Sequence, residues 1–233
     1  MGEPSAAEQD GGPEDDALDA ARLRAASAVS RLGHVLAGHE VAEGVLLDLA
    51  DRVDELVEQL GELPLRDKRN DIGRRARWGE YRRTGVWPGP VPDGDEITFD
   101  RSSFVGGVLS PFAMGATFHR EGDEAVGRVT MGPAFEGPPG RVHGGAIAAM
   151  VDEVMGSVNS VLGTVAFTGR LSVSFVGPCP LGTELEFRAG LVERDGRKLH
   201  LACTGRAGET VFARAEATFV EIDPAVALSM FEA

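Results

Sequence analysis

The chain has 233 residues, 42% of them hydrophobic and 26% charged, which is typical of a globular protein with one good-sized domain and an appendage. Its formal net charge of -14 argues against general nucleic-acid binding. No apolar run approaches the roughly 18 residues that a membrane-spanning helix needs, so we expect no membrane span.

The N-terminal residues 1–16 are strongly acidic and contain neither lysine nor arginine, the opposite of a secretory or mitochondrial leader. We expect them to form a disordered tail. The chain has two cysteines, Cys179 and Cys203, without metal-binding or disulfide-framework spacing. This usage predicts buried thiols and a reduced, cytoplasmic location.

Residues 17–62 have the apolar spacing of two helices, with a break indicated by Gly33, Gly38 and Gly44. Such a helical hairpin cannot bury its apolar stripes alone. It should pack on the main domain, on a second copy, or on another protein. One stripe contains Leu18, Leu23, Ala26, Val29 and Leu32, and the other contains Val45, Leu46, Leu49, Val53, Leu56, Val57 and Leu60.

Residues 63–100 are rich in proline, glycine and charge, and we interpret them as a linker with a basic patch. The patch is either a solvated surface or a binding surface for the phosphates of a nucleotide-bearing substrate. Trp78, Tyr81 and Trp87 lie within this segment and would pin it to the core. The basic residues are Arg66, Lys68, Arg69, Arg74, Arg75, Arg77, Arg82 and Arg83.

Residues 101–233 have the pattern of an α+β domain, in which strands meander around one buried helix. Apolar Leu171, Val173 and Phe175 alternate with polar residues, and Asp195-Gly196 predicts a hairpin turn. The predicted strands are 112–120, 124–132, 166–177, 183–193, 197–205 and 210–221, with the helix near 144–161.

The start of this helix is preceded by Arg141-Val142-His143 and formed by Gly144-Gly145. The first N–H groups of a helix have no partner within it and carry the positive end of its dipole, so they can hold an oxyanion. Glycine lets a ligand carbonyl approach the backbone closely. The same residues also fit a plain tight turn or helix cap, with His143 orienting it.

Asp152 lies on the apolar face of the same helix, where a carboxylate needs a hydrogen bond or a functional reason. A structural hydrogen bond is one interpretation, and catalysis is the other. Nine residues separate His143 from Asp152, roughly 13 Å along a helix. If the amides and the acid serve one reaction, the acid must come from a second subunit, with two identical sites at a dimer interface.

The segment from Gly137 to Val158, together with Phe167–Phe175 and Asp195–Lys198, closely resembles the hotdog-fold acyl-CoA thioesterases. The nearest branch is the phenylacetyl-CoA-thioesterase type that includes the mammalian carboxyl-terminal-modulator-like enzymes. The resemblance covers about residues 104–222. It implies a hotdog fold, an antiparallel sheet wrapped around a long central helix, here with an N-terminal helical extension, and homodimers that pair into tetramers.

The resemblance also implies roles for individual residues in hydrolysis of an acyl-CoA to a free acid and CoA. The Gly144 amide polarises the thioester carbonyl, Asp152 acts as base or nucleophile, and Thr168 positions the water or substrate, although a strand threonine needs no such role. We expect His143 and Gly145 to support substrate binding. No metal or cofactor is implied.

Two further expectations concern the substrate and a departure from the family pattern. We expect Arg197 and Lys198 to bind the CoA phosphates. Several relatives have an asparagine six residues before the histidine, where this chain has Gly137, whereas the modulator-like branch also lacks it.

Two other functions stay open. A hotdog hydratase or dehydratase would place a histidine base beside an acid, and a non-catalytic acyl-CoA-binding module would use the helical hairpin to contact a regulatory partner.

Overall fold

The computed structural model describes residues 13–66, 76–98 and 100–232. Its helices are α1 Pro13–Gly38, α2 Glu43–Gly61, α3 Ala76–Thr84, α4 Gly144–Leu162 and α5 Pro224–Glu232. Its strands are β1 Thr117–Glu121, β2 Glu124–Thr130, β3 Ala166–Phe175, β4 Glu184–Asp195, β5 Lys198–Ala207 and β6 Thr210–Glu221. A 3₁₀ turn occupies Pro133–Phe135.

The six strands form one antiparallel sheet in the order β1-β2-β4-β5-β6-β3, and α4 packs across one face. Side chains alternate across each strand, so one set from each faces the helix. Phe187 and Phe212, for example, are fully buried and meet edge to face at 5.4 Å. From α4, Met150, Val154 and Val158 are completely inaccessible to solvent. The predicted α+β hotdog architecture is confirmed.

The predicted hairpin at Asp195-Gly196 is also confirmed. It joins β4 to β5, and Gly196 has a φ of 56°, a left-handed conformation that favours glycine. The glutamate that ends β6, Glu221, donates its N–H to the Arg197 carbonyl at 2.7 Å. This turn is therefore fixed against the end of β6.

Strand β3 lies at one edge of the sheet, next to β6 only. Phe167 is 40% exposed and Phe175 is 55% exposed. A ten-residue edge strand of alternating apolar and polar residues presents unpaired backbone groups to any second strand.

The N-terminal helical extension is present, and α1 and α2 differ in how they pack. His34 of α1 meets the Phe135 ring edge to face at 5.5 Å, and its Nδ1 accepts the Ala134 N–H at 3.2 Å. Helix α2 has no buried residue. Helix α1 begins at Pro13, inside the predicted disordered tail, and proline suits the first position of a helix. The rest of that tail, residues 1–12, lies outside the described residues.

The segment predicted as a linker contains helix α3, and the chain ends in α5, which the sequence patterns did not predict. Trp78 of α3 packs edge to face on Tyr81, Trp87 and Phe231, so these aromatics form a small second core, with Val165 and Ala227, beside the sheet. Within the basic patch, Arg66, Arg82 and Arg83 are exposed, whereas Lys68, Arg69, Arg74 and Arg75 lie outside the described residues.

Candidate active site

His143 caps the N-terminus of α4. Its Nδ1 accepts the Gly145 N–H at 2.9 Å, and its carbonyl accepts the N–H groups of Ala146 and Ile147. The bonds from Gly145 and Ala146 satisfy two of the orphan donors of the first turn, and the bond from Ile147 is the first regular bond of the helix. Among the described residues, the Gly144 N–H has no hydrogen-bond acceptor, so it is available to an external oxygen.

Space, not backbone conformation, requires glycine at the helix start. Neither Gly144 nor Gly145 has a positive φ. A Cβ on Gly144 would lie 3.3 Å from Cζ of Phe175, and one on Gly145 would lie 3.0 Å from Nδ1 of His143. With glycine at both positions, Phe175 of the edge strand and the capping His143 pack closely against the helix start, while the Gly144 N–H stays without an acceptor in the described part of the chain.

Gly137 has a similar explanation. A Cβ at this position would lie 2.9 Å from the Cα of His143, a contact with backbone that only a shift could relieve. An asparagine at position 137 would displace the capping histidine. The packing of this turn therefore favours glycine at position 137, where several relatives have asparagine.

Asp152 is half-buried on α4 and accepts a hydrogen bond from the Thr168 hydroxyl, Oγ1 to Oδ1, at 2.9 Å. The pairing of β3 with β6 shifts register between Thr168 and Arg170, an irregularity of the kind that redirects a side chain. Among the described residues, no cation pairs with Asp152. The neighbouring acid Glu153 instead accepts a bond from Ser103 at 2.6 Å.

A cavity of about 380 Å³ opens beside Asp152 and Thr168. Its walls combine aromatic side chains, from Trp78, Trp87, Phe167 and Phe231, with polar and charged ones that include Asp100, Glu153 and Asn159. Gly156, one helical turn after Asp152, also lines it, and an added Cβ there would meet no atom within 4 Å. The volume is within the usual range for small-ligand sites.

Arg77 adds one half-buried cation to the cavity wall. Its Nη2 donates to the Pro88 carbonyl at 2.7 Å, and its guanidinium lies 5.3 Å from the centre of the Trp87 ring. Burial lowers the pKa of Arg77, and the charge of Glu80 partly offsets this. These contacts fix Arg77 against the wall and hold Trp87 in place.

Arg197 and Lys198 are exposed in the β4–β5 turn. Lys198 is paired with Val220, which is paired in turn with Phe167, the residue before Thr168. Two strand spacings separate their backbones, about 10 Å. The two cations therefore lie at the same end of the sheet as Thr168.

The Gly144 amide and the Asp152 carboxylate belong to different turns of one rigid helix. Eight residues separate them, about 12 Å along the axis. One copy of the chain therefore does not bring them to a single carbonyl.

Within residues 13–66, 76–98 and 100–232, no cluster of three metal-binding side chains occurs, and no helix is long and apolar enough to cross a membrane. Cys179 and Cys203 are buried free thiols, and burial raises the pKa of each to about 12. Neither is a reactive nucleophile.

Comparisons with known proteins point to one family. Residues 139–218 match the thioesterase superfamily model. The chain is 30% identical over 137 residues to acyl-coenzyme A thioesterase THEM4 of Xenopus laevis, covering 58% of this chain and 61% of that protein. It is 36% identical over 95 residues to THEM4 of Bos taurus, covering 40% and 39%. The matches thus span about two to three fifths of these relatives.

One solved structure extends the comparison to the N-terminal region. A crystal structure of a thioesterase superfamily protein is 26% identical, with a TM-score of 0.66, and the match covers 85% of this chain and 94% of the other. Since β1 begins only at residue 117, this match includes residues well before the sheet. The sheet and its central helix thus have the hotdog fold, and residues 139–218 are similar to the thioesterase superfamily.

Proposed function

We propose that this protein is an acyl-CoA thioesterase that hydrolyses acyl-CoA to a free acid and CoA at two identical sites of a homodimer. One observation carries the proposal: Asp152, oriented by Thr168 and without a cationic partner among the described residues, lies at the wall of a cavity that aromatic rings help to line. A carboxylate in such a position is a candidate base or nucleophile.

The reaction needs an oxyanion donor as well as the acid. The thioester oxygen accepts the free Gly144 N–H at the positive end of α4, and one such donor is typically worth about 3–4 kcal/mol to the transition state. Asp152 removes a proton from water as it attacks the carbonyl carbon, or attacks that carbon itself. The carbon–sulfur bond then breaks, and the CoA thiolate leaves and takes up a proton. In the nucleophilic route the acyl group is then bound to Asp152 as a mixed anhydride, and water hydrolyses this anhydride to release the acid and restore the carboxylate.

Strand β3 suggests how two copies complete the site. Thr168, beside Asp152, is near the start of the strand, and Phe175, beside Gly144, is at its end. Antiparallel pairing of two β3 edges about a twofold axis near Leu171 and Ser172 places the start of one strand beside the end of the other. The Asp152 of one copy then faces the Gly144 amide of its twin.

The remaining parts of the site suit the two ends of the substrate. The cavity accepts the acyl group, because Trp78, Trp87 and Phe167 give it apolar surface and it adjoins the carboxylate. Arg197 and Lys198 lie at the Thr168 end of the sheet and supply cations for the CoA phosphates. Their contribution predicts a Michaelis constant that rises with salt concentration.

Asp152→Asn tests the acid, with Glu153→Gln as the matched control on the adjacent residue. The amide still accepts the Thr168 bond but can neither attack nor take a proton, so we expect kcat to fall about 100-fold or more with the fold unchanged. Release of the CoA thiol is followed with a thiol reagent. Loss of enoyl absorbance without thiol release would favour the hydratase, and binding without either would favour a non-catalytic module.

Subunit complementation tests the two-chain site. A Gly144→Val chain is mixed with an Asp152→Asn chain, each inactive alone. If the site is shared, every mixed dimer has one intact site, so random association restores about a quarter of wild-type activity. If each chain carries its own site, the mixture stays inactive. Single turnover in labelled water then separates the roles of Asp152, since label in its carboxylate indicates nucleophilic attack.

A further inference from the structure

Helix α2 is amphipathic, and no part of the described chain covers its apolar face. At 100° per residue its apolar side chains occupy an arc of about 120°, and its acids lie on the opposite side. The apolar stripe contains Val45, Leu46, Leu49, Val53, Leu56, Val57 and Leu60, of which all but Leu49 are 38–63% exposed. The acidic face contains Asp48, Asp51, Asp54, Glu55 and Glu58. A lone 19-residue helix is marginal in water, so this stripe needs a partner.

The start of α2 lies close to the candidate active site. The end of α1 is fixed there, because a Cβ on Gly38 would lie 2.9 Å from Pro133 of the 3₁₀ turn. The same turn holds the cap of α4, since the Phe135 carbonyl accepts the His143 N–H at 2.8 Å. Helix α2 begins five residues after Gly38. Its start therefore lies near the β3 edge, where a second copy would pair.

Charge distinguishes between possible partners. Helix α2 carries six acidic residues and one basic residue, which disfavours an anionic membrane surface. The β3 edge has the opposite sign: Arg141, Arg170 and Arg214 are exposed and have no ion pair among the described residues. Two exposed acids, Glu136 and Glu216, share this region, and the three arginines outnumber them.

Of the α2 acids, Glu43 and Asp54 border the apolar stripe on one side and Asp48 borders it on the other. A second copy thus offers an apolar edge for the stripe and cations for the acids beside it.

We propose that α2 packs its apolar stripe on a second copy of this chain, at the edge formed by β3 and the turn before α4. The contact is isologous, so each copy covers its twin in the same way. It uses the dimer of the proposed function for the position of the partner but does not depend on hydrolysis.

Leu56→Glu tests this contact, and Leu47→Glu is its matched control. Both leucines are exposed, at 55% and 60%, and both variants add the same charge, but Leu47 lies on the acidic face. Two readouts are used on the purified full chain: the mass in solution over a dilution series, and amide hydrogen exchange of α2. We expect Leu56→Glu to raise the dissociation constant about tenfold or to speed α2 exchange about tenfold, with Leu47→Glu unchanged.

The outcomes separate this inference from the hydrolase proposal. Faster α2 exchange at unchanged mass supports α2 packing in a dimer that β3 holds together. A monomeric wild-type protein, or equal mass and exchange in the two variants, overturns the inference. Rapid α2 exchange in the assembled wild type also overturns it and points to a different protein as partner. Thioester turnover enters none of these readouts, so either proposal can fail alone.

Discussion

Replacing Gly156 should raise stability and narrow the range of acyl groups that the enzyme accepts. Glycine inside a helix costs about 0.5–1 kcal/mol relative to alanine. A Cβ at this position meets no atom within 4 Å, so Gly156→Ala recovers this energy without a clash. We expect Tm to rise by about 2–4 °C for each kcal/mol gained.

A larger side chain at position 156 should narrow the range of acyl-CoA substrates. Position 156 faces the cavity one turn from Asp152, so Gly156→Leu places four carbon atoms in a volume of about 380 Å³. A mismatch of one methylene is worth about 10-fold or more in a hydrophobic pocket. We expect kcat/KM for the longest accepted acyl-CoA to fall by at least this factor, with the shortest substrate little changed.

The assay combines thermal unfolding with thiol release across an acyl-CoA length series. Gly33→Ala is the control, because Gly33 lies inside α1, also has no atom within 4 Å of an added Cβ, and is not among the residues that line the cavity. It should leave acyl preference unchanged. A Gly156→Leu enzyme with the wild-type length profile would refute the assignment of this cavity to the acyl group.

Three other predictions follow from single contacts. Thr168→Val removes the hydroxyl that orients Asp152, and a hydrogen bond to a charged group is worth about 1.5–3 kcal/mol. The value of kcat/KM should therefore fall about 10- to 100-fold and recover in Thr168→Ser. A valine variant with wild-type activity would exclude this role of Thr168. Gly137→Asn should lower the free energy of unfolding by about 1–3 kcal/mol in denaturant titration, because its Cβ strikes the His143 backbone. Both cysteines have a pKa raised to about 12, so they stay protonated at pH 8, and a thiol reagent should react only after denaturation; rapid reaction of the native protein would contradict their burial.

Sequence patterns predicted an element correctly where its hydrophobic period and its residue types favoured the same structure. The long apolar helix, the alternating strands and the Asp195-Gly196 turn are local signals, and the structure contains each of them. Asp152 was identifiable because a carboxylate at an apolar helical position needs a reason. The predicted roles of Asp152, Gly144 and Thr168 stay predictions, although the hydrogen bond between Asp152 and Thr168 places two of these residues together.

The rest of the site depends on contacts between residues distant in sequence. Trp78 and Phe231 are 153 residues apart, yet their rings pack together at 5.3 Å beside the cavity. Helix α5 is short and almost wholly apolar, and such a run has no clear period. A side chain at Gly137 would clash with the His143 backbone, six residues away, which composition does not show. These features depend on the three-dimensional structure and have no local sequence signal.

Under the proposed function, the exposed apolar surface links assembly to catalysis. Scattered apolar side chains are normal on a protein surface, but contiguous ones mark interfaces. Here they concentrate on the N-terminal helices, and Phe167, Phe175 and Val176 add a smaller group at the β3 edge. Strand β3 also contacts both halves of the site, through Thr168 at one end and Phe175 at the other. A second copy that covers this edge therefore removes apolar surface from water and, in the same step, supplies the amide or the acid that each copy lacks.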